Sequence, residues 1–309
     1  MLRVSIIGAR RNRNGIGEYL AKYFNQQKAS VVAVLGTSEE SSHAGASALQ
    51  KYGIEAAPYV KFDKMVAEKN PQVVVIGSPA DTHYAYLTQS IDSGLNVFCE
   101  KPLFWPVLGK VEEAVGEVLE RAKEKKVTVA MNCQLPFAME GYEKLCGKVE
   151  AKDPSRFFIR LSPAFAGKEM IPDSVPHALS LLYFQFGEGG LGDMSFEIRE
   201  PDEMDIRFKY LAEKSGCEVH VKLVRKEEQP REFQFGFNDR IVRRTLNLKN
   251  YGIHFEYGDK RVRIEDPLER SVASFIEAVE QGKEPFMGYA HILNNMVLLK
   301  TIHDEYGRD

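Results

Sequence analysis

Five short apolar runs, Val4–Ile7, Val31–Leu35, Val73–Ile76, Val97–Cys99 and Val127–Ala130, alternate with stretches of helical spacing. Each run is brief and rich in β-branched or apolar side chains, as a strand buried on both faces of a parallel sheet must be. The intervening stretches, Gly17–Gln27, Ala44–Lys51, Phe62–Lys69, His83–Ser93 and Leu108–Glu124, repeat apolar residues at helical intervals. Crossovers between parallel strands are right-handed, so this alternation predicts a doubly wound α/β sheet over residues 1–130.

After Ala130 the pattern changes. A helical stretch, Ala138–Lys148, precedes a strand at Arg156–Leu161 and a helix at His177–Phe186. Strands are then predicted at Met204–Leu211, Cys217–Arg225, Glu232–Phe237, Ile241–Leu248, Ile253–Tyr257 and Arg261–Ile264. In Cys217–Arg225 the residues Val219, Val221 and Leu223 share one side and His220 and Lys222 the other, the signature of an antiparallel sheet covered on one face. Phe233, Phe235 and Phe237 alternate in the same way and read as core. Helices at Pro267–Gln281 and Tyr289–Glu305 close the chain and are free to pack back on the first domain. With 309 residues and 44% hydrophobic content, two domains are expected, 1–130 and 131–309.

A net charge of −3 gives no reason to expect nucleic acid or an acidic membrane surface as partner. The cysteines at 99, 133, 146 and 217 form no C-x-x-C pair, which points away from a metal knuckle or a disulfide framework. Leu2–Ile7 reads as a strand with no apolar leader before it, and no run approaches the roughly 18 apolar residues of a membrane span. The expectation is a cytoplasmic protein.

Gly8, Gly15 and Gly17 fall between a strand and a helix, where glycine lets backbone approach a pyrophosphate and a helix N-terminus attracts it. The spacing departs from G-x-G-x-x-G: Ile16-Gly17 forms the last pair, and Arg10 occupies the usual second-glycine position. At the end of the second strand, selectivity for NAD would require a carboxylate on the ribose hydroxyls. Here Val34-Leu35-Gly36-Thr37-Ser38 holds no acid before Glu39. The hydroxyls of Thr37 and Ser38 and the guanidinium groups of Arg10, Arg11 and Arg13 suit a 2′-phosphate, so NADP is expected, with NAD as the alternative.

The run Val97-Phe98-Cys99-Glu100-Lys101-Pro102-Leu103 ends a buried-looking strand in a Glu-Lys-Pro turn. Together with Ile6-Ile7-Gly8 and Asp173-x-x-x-His177, it resembles the glucose–fructose oxidoreductase/inositol dehydrogenase (Gfo/Idh/MocA) family of NAD(P)-dependent oxidoreductases. The resemblance runs from Val4 to about Tyr306 and is strongest over 70–105. It implies that Ser78-Pro79-Ala80-Asp81-Thr82-His83, where the family has T-P-N-x-x-H, borders the cofactor. Ser78, Pro79, His83 and Glu100 are therefore candidate cofactor neighbours. It also implies a cis Lys101–Pro102 bond, and an open sheet that often carries the oligomer contact.

Hydride transfer from a carbinol carbon leaves a hydroxyl proton to be taken by a base poised near neutral pH. Lys101 and His177 are the candidates. Oxidised nicotinamide and partial burial would both lower the lysine's pKa. Asp173 and His177 stand four apart around Pro176, and a proline belongs in a helix's first turn, so a helix is expected to begin near Ser174. Asp173 is then either a cap or the group that fixes the tautomer of His177. The helix dipole favours neutral imidazole and the carboxylate favours imidazolium. Asn132, Gln134 and Tyr142 follow the fifth strand, where the family often places substrate contacts. Trp105 extends the turn as a pocket wall or as core.

The expected activity is NADP(H)-dependent oxidation or reduction of a sugar, cyclitol or related polyol by a homo-oligomeric enzyme. Two rivals share the fold: a non-catalytic dinucleotide sensor, and a family enzyme acting on an imine, a dihydrodiol or a nucleotide-linked sugar.

Overall fold

The computed structural model describes residues 1–9, 16–150, 155–199, 201–213, 215–247 and 252–307. Among these the chain runs β1 (Arg3–Ile7), α1 (Ile16–Gln26), β2 (Ser30–Leu35), α2 (Glu39–Leu49), β3 (Ala57–Tyr59), α3 (Phe62–Lys69), β4 (Val73–Ile76), α4 (Ala80–Asp92), β5 (Asn96–Glu100), α5 (Val111–Lys125) and β6 (Val129–Asn132). It continues through α6 (Met139–Cys146), β7 (Ser155–Leu161), α7 (Met170–Phe186), β8 (Gly189–Arg199), β9 (Glu203–Ala212) and β10 (Ser215–Val224). Then come β11 (Gln234–Phe237), β12 (Arg240–Asn247), β13 (Gly252–Tyr257), β14 (Lys260–Ile264), α8 (Pro267–Gln281) and α9 (Gly288–Glu305).

Two compact units result: Met1–Asn132 with Leu268–Ile292, and Cys133–Pro267 with Leu293–Asp309. The first unit is built on a six-stranded parallel sheet in the order β3-β2-β1-β4-β5-β6. Val73, Val74, Val75 and Ile76 are all fully buried, as a central strand covered on both faces must be. Phe24 of α1, Phe98 of β5 and Phe275 of α8 meet edge to face with centroids 5.1 to 6.2 Å apart, so α8 is part of this core. β1 has β2 on one side and β4 on the other. Strand order therefore reverses between β1 and β4, and the crevice beyond their carboxyl ends is where such sheets take ligands.

The second unit carries an eight-stranded sheet in the order β14-β13-β12-β11-β7-β10-β9-β8, antiparallel except for the β7–β10 pair. Its inner face is apolar: Phe157, Ile159, Ile206, Phe208, Val219, Val221 and the three phenylalanines of 233–237 are buried. The outer face is charged and laced by ion pairs between strands, among them Lys222–Glu203, Arg199–Glu203 and Arg243–Glu256.

Three local expectations are corrected. Strand β3 was not foreseen, because it is a three-residue edge strand containing Pro58. β8 was not foreseen either, because Gly189, Gly190 and Gly192 at its start carry the sign of a turn. Helix α7 begins at Met170, not near Ser174, so Pro176 lies inside it and beyond the first turn. Met170 and Ile171 are fully buried, and that packing outweighs the hydrogen bond and ring clearance the proline costs.

Candidate active site

In the first unit three glycines close the switch point. Gly8 follows β1 with φ of +78°, a left-handed conformation that a side chain would strain. A Cβ added to Gly17, in the first turn of α1, would lie 2.4 Å from the carbonyl oxygen of Gly8. One added to Gly8 would lie 2.7 Å from the Ser78 nitrogen, and one on Gly77 would lie 3.3 Å from the Gly17 Cα. Helix α1 is thus pressed by backbone contact onto the ends of β1 and β4. This is the cradle a pyrophosphate requires, and Ile16 opens the helix that points at it. Arg10 and Gly15, with Arg11 and Arg13, lie outside the described residues.

At the end of β2, Thr37 is exposed. Ser38 caps α2: its Oγ accepts from the Ser41 amide at 3.1 Å, and its own amide donates to Ser41 Oγ at 3.0 Å. The Ser38 hydroxyl is thereby engaged at the helix start, and Thr37 is the hydroxyl presented outward. Glu39 and Glu40 follow in the first turn of α2.

Beyond β4, Ser78 is buried, and its Oγ shares a 2.7 Å hydrogen bond with Thr82 Oγ1. Pro79 precedes α4 as its N-cap. His83, in the first turn of α4, is 1% exposed. Its Nδ1 lies 2.9 Å from the Pro102 carbonyl oxygen and its Nε2 lies 2.9 Å from that of Ser78. The ring therefore faces backbone rather than an open crevice.

The Glu-Lys-Pro turn leaves β5 at its carboxyl end, and the Lys101–Pro102 peptide is cis, as expected. Glu100 is buried and pairs in the ladder with Asn132 of β6. Asn132 Nδ2 donates to Glu100 Oε1, and Ser271 Oγ of α8 donates to Asn132 Oδ1 at 2.9 Å. A relay of neutral donors thus holds a buried carboxylate next to Lys101 in sequence, while Lys101 itself is half-buried. Nothing in the sequence pattern picks out Ser271 as a support for Glu100, because the two are 171 positions apart and joined only through the fold. Asn132 is thereby a supporting residue and not an open substrate contact.

In the second unit Asp173 and His177 sit one turn apart on one face of α7, both half-buried. Pro176 between them leaves its own carbonyl doubly used, accepting from Ser180 Oγ at 2.8 Å and Asn295 Nδ2 at 3.0 Å. Tyr142 does not reach an open surface. It is 1% exposed, its hydroxyl donates to Arg240 O at 3.0 Å and accepts from the Phe237 amide at 3.1 Å, and burial pushes its pKa up to about 12. Gln134 is half-buried just before a short turn. Trp105 is 8% exposed, and its amide donates to Ala80 O at 3.1 Å. It walls a cavity of about 560 Å³ with Tyr84, Phe104 and Leu108. No cluster of three or more histidine, cysteine or acidic side chains able to hold a metal occurs among the described residues.

Residues 2–133 match a family described as oxidoreductases with an NAD-binding Rossmann fold, Gfo/Idh/MocA. Residues 2–133 thus form a Gfo/Idh/MocA nucleotide-binding domain. The inositol 2-dehydrogenase of Burkholderia cenocepacia is 37% identical over 117 residues, 38% of this chain and 32% of that protein. An uncharacterized oxidoreductase of Schizosaccharomyces pombe is 36% identical over 74 residues, 24% of this chain. The chain spans about a fifth of the yeast protein and a third of the bacterial one. Over the whole length, the solved UDP-N-acetylglucosamine 3-dehydrogenase of Acidithiobacillus ferrooxidans superposes with a TM-score of 0.70 at 16% identity, covering 97% of this chain and 96% of that one. The fold, a parallel sheet followed by a mostly antiparallel one, is therefore shared along the chain.

Proposed function

We propose that this Gfo/Idh/MocA protein is an NADP(H)-dependent oxidoreductase acting on a CH–OH/C=O pair of a sugar, cyclitol or related polyol. The observation that carries the reading is the backbone-to-backbone closure of Gly8, Gly17 and Gly77 at the sheet's switch point, one strand away from the Glu-Lys-Pro turn. A cradle that a single Cβ would fill fits a dinucleotide's pyrophosphate.

When bound, the nicotinamide supplies the hydride acceptor for the carbinol carbon, or the donor in reverse. In the oxidation direction Lys101 takes the proton from the substrate hydroxyl as the C–H bond breaks, and His177 shares that proton-handling task. Asp173, one turn before His177, sets the orientation and charge of its imidazole. Glu100, anchored by Asn132, keeps the start of the turn fixed.

Selection of NADP is supported by the absence of an acid from Gly36 to Ser38, by the exposed Thr37 hydroxyl, and by the three arginines in the sequence after Gly8. The engagement of Ser38 in a cap leaves Thr37 and the arginines to carry that preference. Similar proteins widen the substrate panel: inositol is the substrate named for the Burkholderia relative, and a UDP-linked sugar for the Acidithiobacillus structure. We place the protein in the cytoplasm, in keeping with four buried cysteines that form no disulfide. No helix among the described residues is long and apolar enough to cross a membrane. A homo-oligomer formed through the eight-stranded sheet is part of the same reading and rests on the family resemblance.

The test is a titration of NADPH and NADH by calorimetry, followed by an NADP⁺-coupled absorbance screen of cyclitols, free sugars and UDP-sugars. Tighter NADPH binding and turnover of one of these compounds support the reading. Binding without turnover of any would favour a dinucleotide sensor.

A further inference from the structure

His83 bridges two segments that lie far apart in sequence: the turn after β4 and the turn after β5. Its ring nitrogens address the carbonyl oxygens of Ser78 and Pro102, each at 2.9 Å, and the ring is almost wholly buried. The same two segments are tied a second time by the Trp105 amide, which donates to Ala80 O at 3.1 Å. The first turn of α4 is closed by Thr82, whose amide donates to Pro79 O at 2.9 Å and whose hydroxyl donates to the same oxygen at 2.7 Å.

These contacts differ from those of a histidine that merely packs. A neutral imidazole carries one N–H and satisfies one of the two carbonyls, while the protonated ring satisfies both. Pro102 is bonded directly to Lys101, so any drift of that carbonyl turns the lysine.

Resting on the oxidoreductase reading above, we propose that His83 is a positioning residue. It locks the dinucleotide-side turn, Ser78–Thr82, to the Glu-Lys-Pro turn, so that the Lys101 ammonium and the cofactor's seat are set as one piece. His83 acts through the two carbonyls. Its role is thereby distinct from a ligand contact, and Ser78 and Lys101 feel its loss together.

The experiment compares the wild-type chain with His83→Phe, which keeps the ring's bulk and removes both polar contacts, and with His83→Gln, which retains one amide donor. Three readouts are taken: hydrogen exchange of the Trp105 and Thr82 amides, NADPH affinity by fluorescence titration, and the pH profile of Lys101 acylation followed by mass spectrometry. In His83→Phe we expect the Trp105 amide to exchange faster, the Lys101 profile to shift, and NADPH affinity to fall by up to roughly tenfold, the loss of about one hydrogen bond. His83→Gln should recover part of each. Unchanged Lys101 acylation and NADPH affinity in a folded His83→Phe would overturn the proposal and leave His83 as packing alone. If His83→Phe does not fold, His83→Gln decides by the same readouts. Failure of the wild-type chain to bind NADPH would count against the oxidoreductase reading, while the amide and acylation readouts would still judge the clamp.

Discussion

Gly17 and Gly8 touch backbone to backbone: a methyl group on Gly17 would sit 2.4 Å from the Gly8 carbonyl oxygen. That one approach sets how closely helix α1 meets strand β1, and hence whether amide groups can reach a pyrophosphate. Gly17→Val should abolish dinucleotide binding while leaving a cooperative melt, because the helix must retreat but the sheet's own core is untouched. Calorimetry with NADPH alongside a thermal melt reads both. Full affinity in this variant would mean that the phosphate site lies elsewhere.

The support of Glu100 gives a second prediction. Asn132→Leu removes the amide that donates to the buried Glu100 carboxylate and also the acceptor used by Ser271. Removing a hydrogen bond to a buried polar group costs about 1–3 kcal/mol, so denaturant unfolding should show a loss of that order. Ser271→Ala, which leaves the Asn132–Glu100 contact in place, should cost less. Equal losses in the two variants would contradict the relay.

Tyr142 makes an alkaline prediction. Burial raises its pKa from 10.0 to about 12 in the folded state. A group whose folded pKa lies above its unfolded value contributes stability that is complete below the unfolded pKa and is lost as pH rises through the folded one. The fold should therefore lose stability between pH 10 and about 12. Tyr142→Phe should be less stable at pH 7, by about 1–3 kcal/mol because the Phe237 amide loses its acceptor, and should show a shallower fall above pH 10. Urea melts at several pH values measure both slopes.

Cofactor preference is tested on the arginines near Gly8. Replacing Arg10, Arg11 and Arg13 by alanine should weaken NADPH binding selectively over NADH, since only a 2′-phosphate needs the charge. Equal weakening of both, or tighter NADH binding by the wild-type chain, would move the preference to NAD.

Much of this organisation is legible in the sequence. Val73–Ile76 could only be a strand covered on both faces, and Phe233, Phe235 and Phe237 could only face a core, because the period of their side chains allows little else. What escaped the sequence was governed by packing between distant segments. Periodicity does not say which sheet a helix such as α8 joins, and Phe275 reveals it only by meeting Phe24 and Phe98. Pro176 suggested a helix start, yet the buried Met170 and Ile171 carry the helix further toward the N-terminus. His83 is legible as a residue of the turn after β4, but its tie to the turn after β5 through Pro102 O is set by the fold alone. Tyr142 lies in the core for a reason no local pattern shows: its hydroxyl serves the backbone of β11 and β12.

If Lys101 handles the substrate proton in an NADP(H)-dependent hydride transfer, as proposed above, its removal must slow turnover without loosening the cofactor. The most direct measurement is NADP⁺ reduction by the best compound from the cyclitol and sugar screen, in wild type and in Lys101→Ala, with NADPH affinity measured on the same samples. Turnover should fall by roughly 10²–10⁴-fold, as expected for a general acid–base group, while NADPH affinity stays nearly unchanged. His177→Ala should fall in the same range, and Asp173→Asn should fall less. Wild-type turnover in Lys101→Ala with intact NADPH binding would exclude Lys101 as the group that takes the substrate proton.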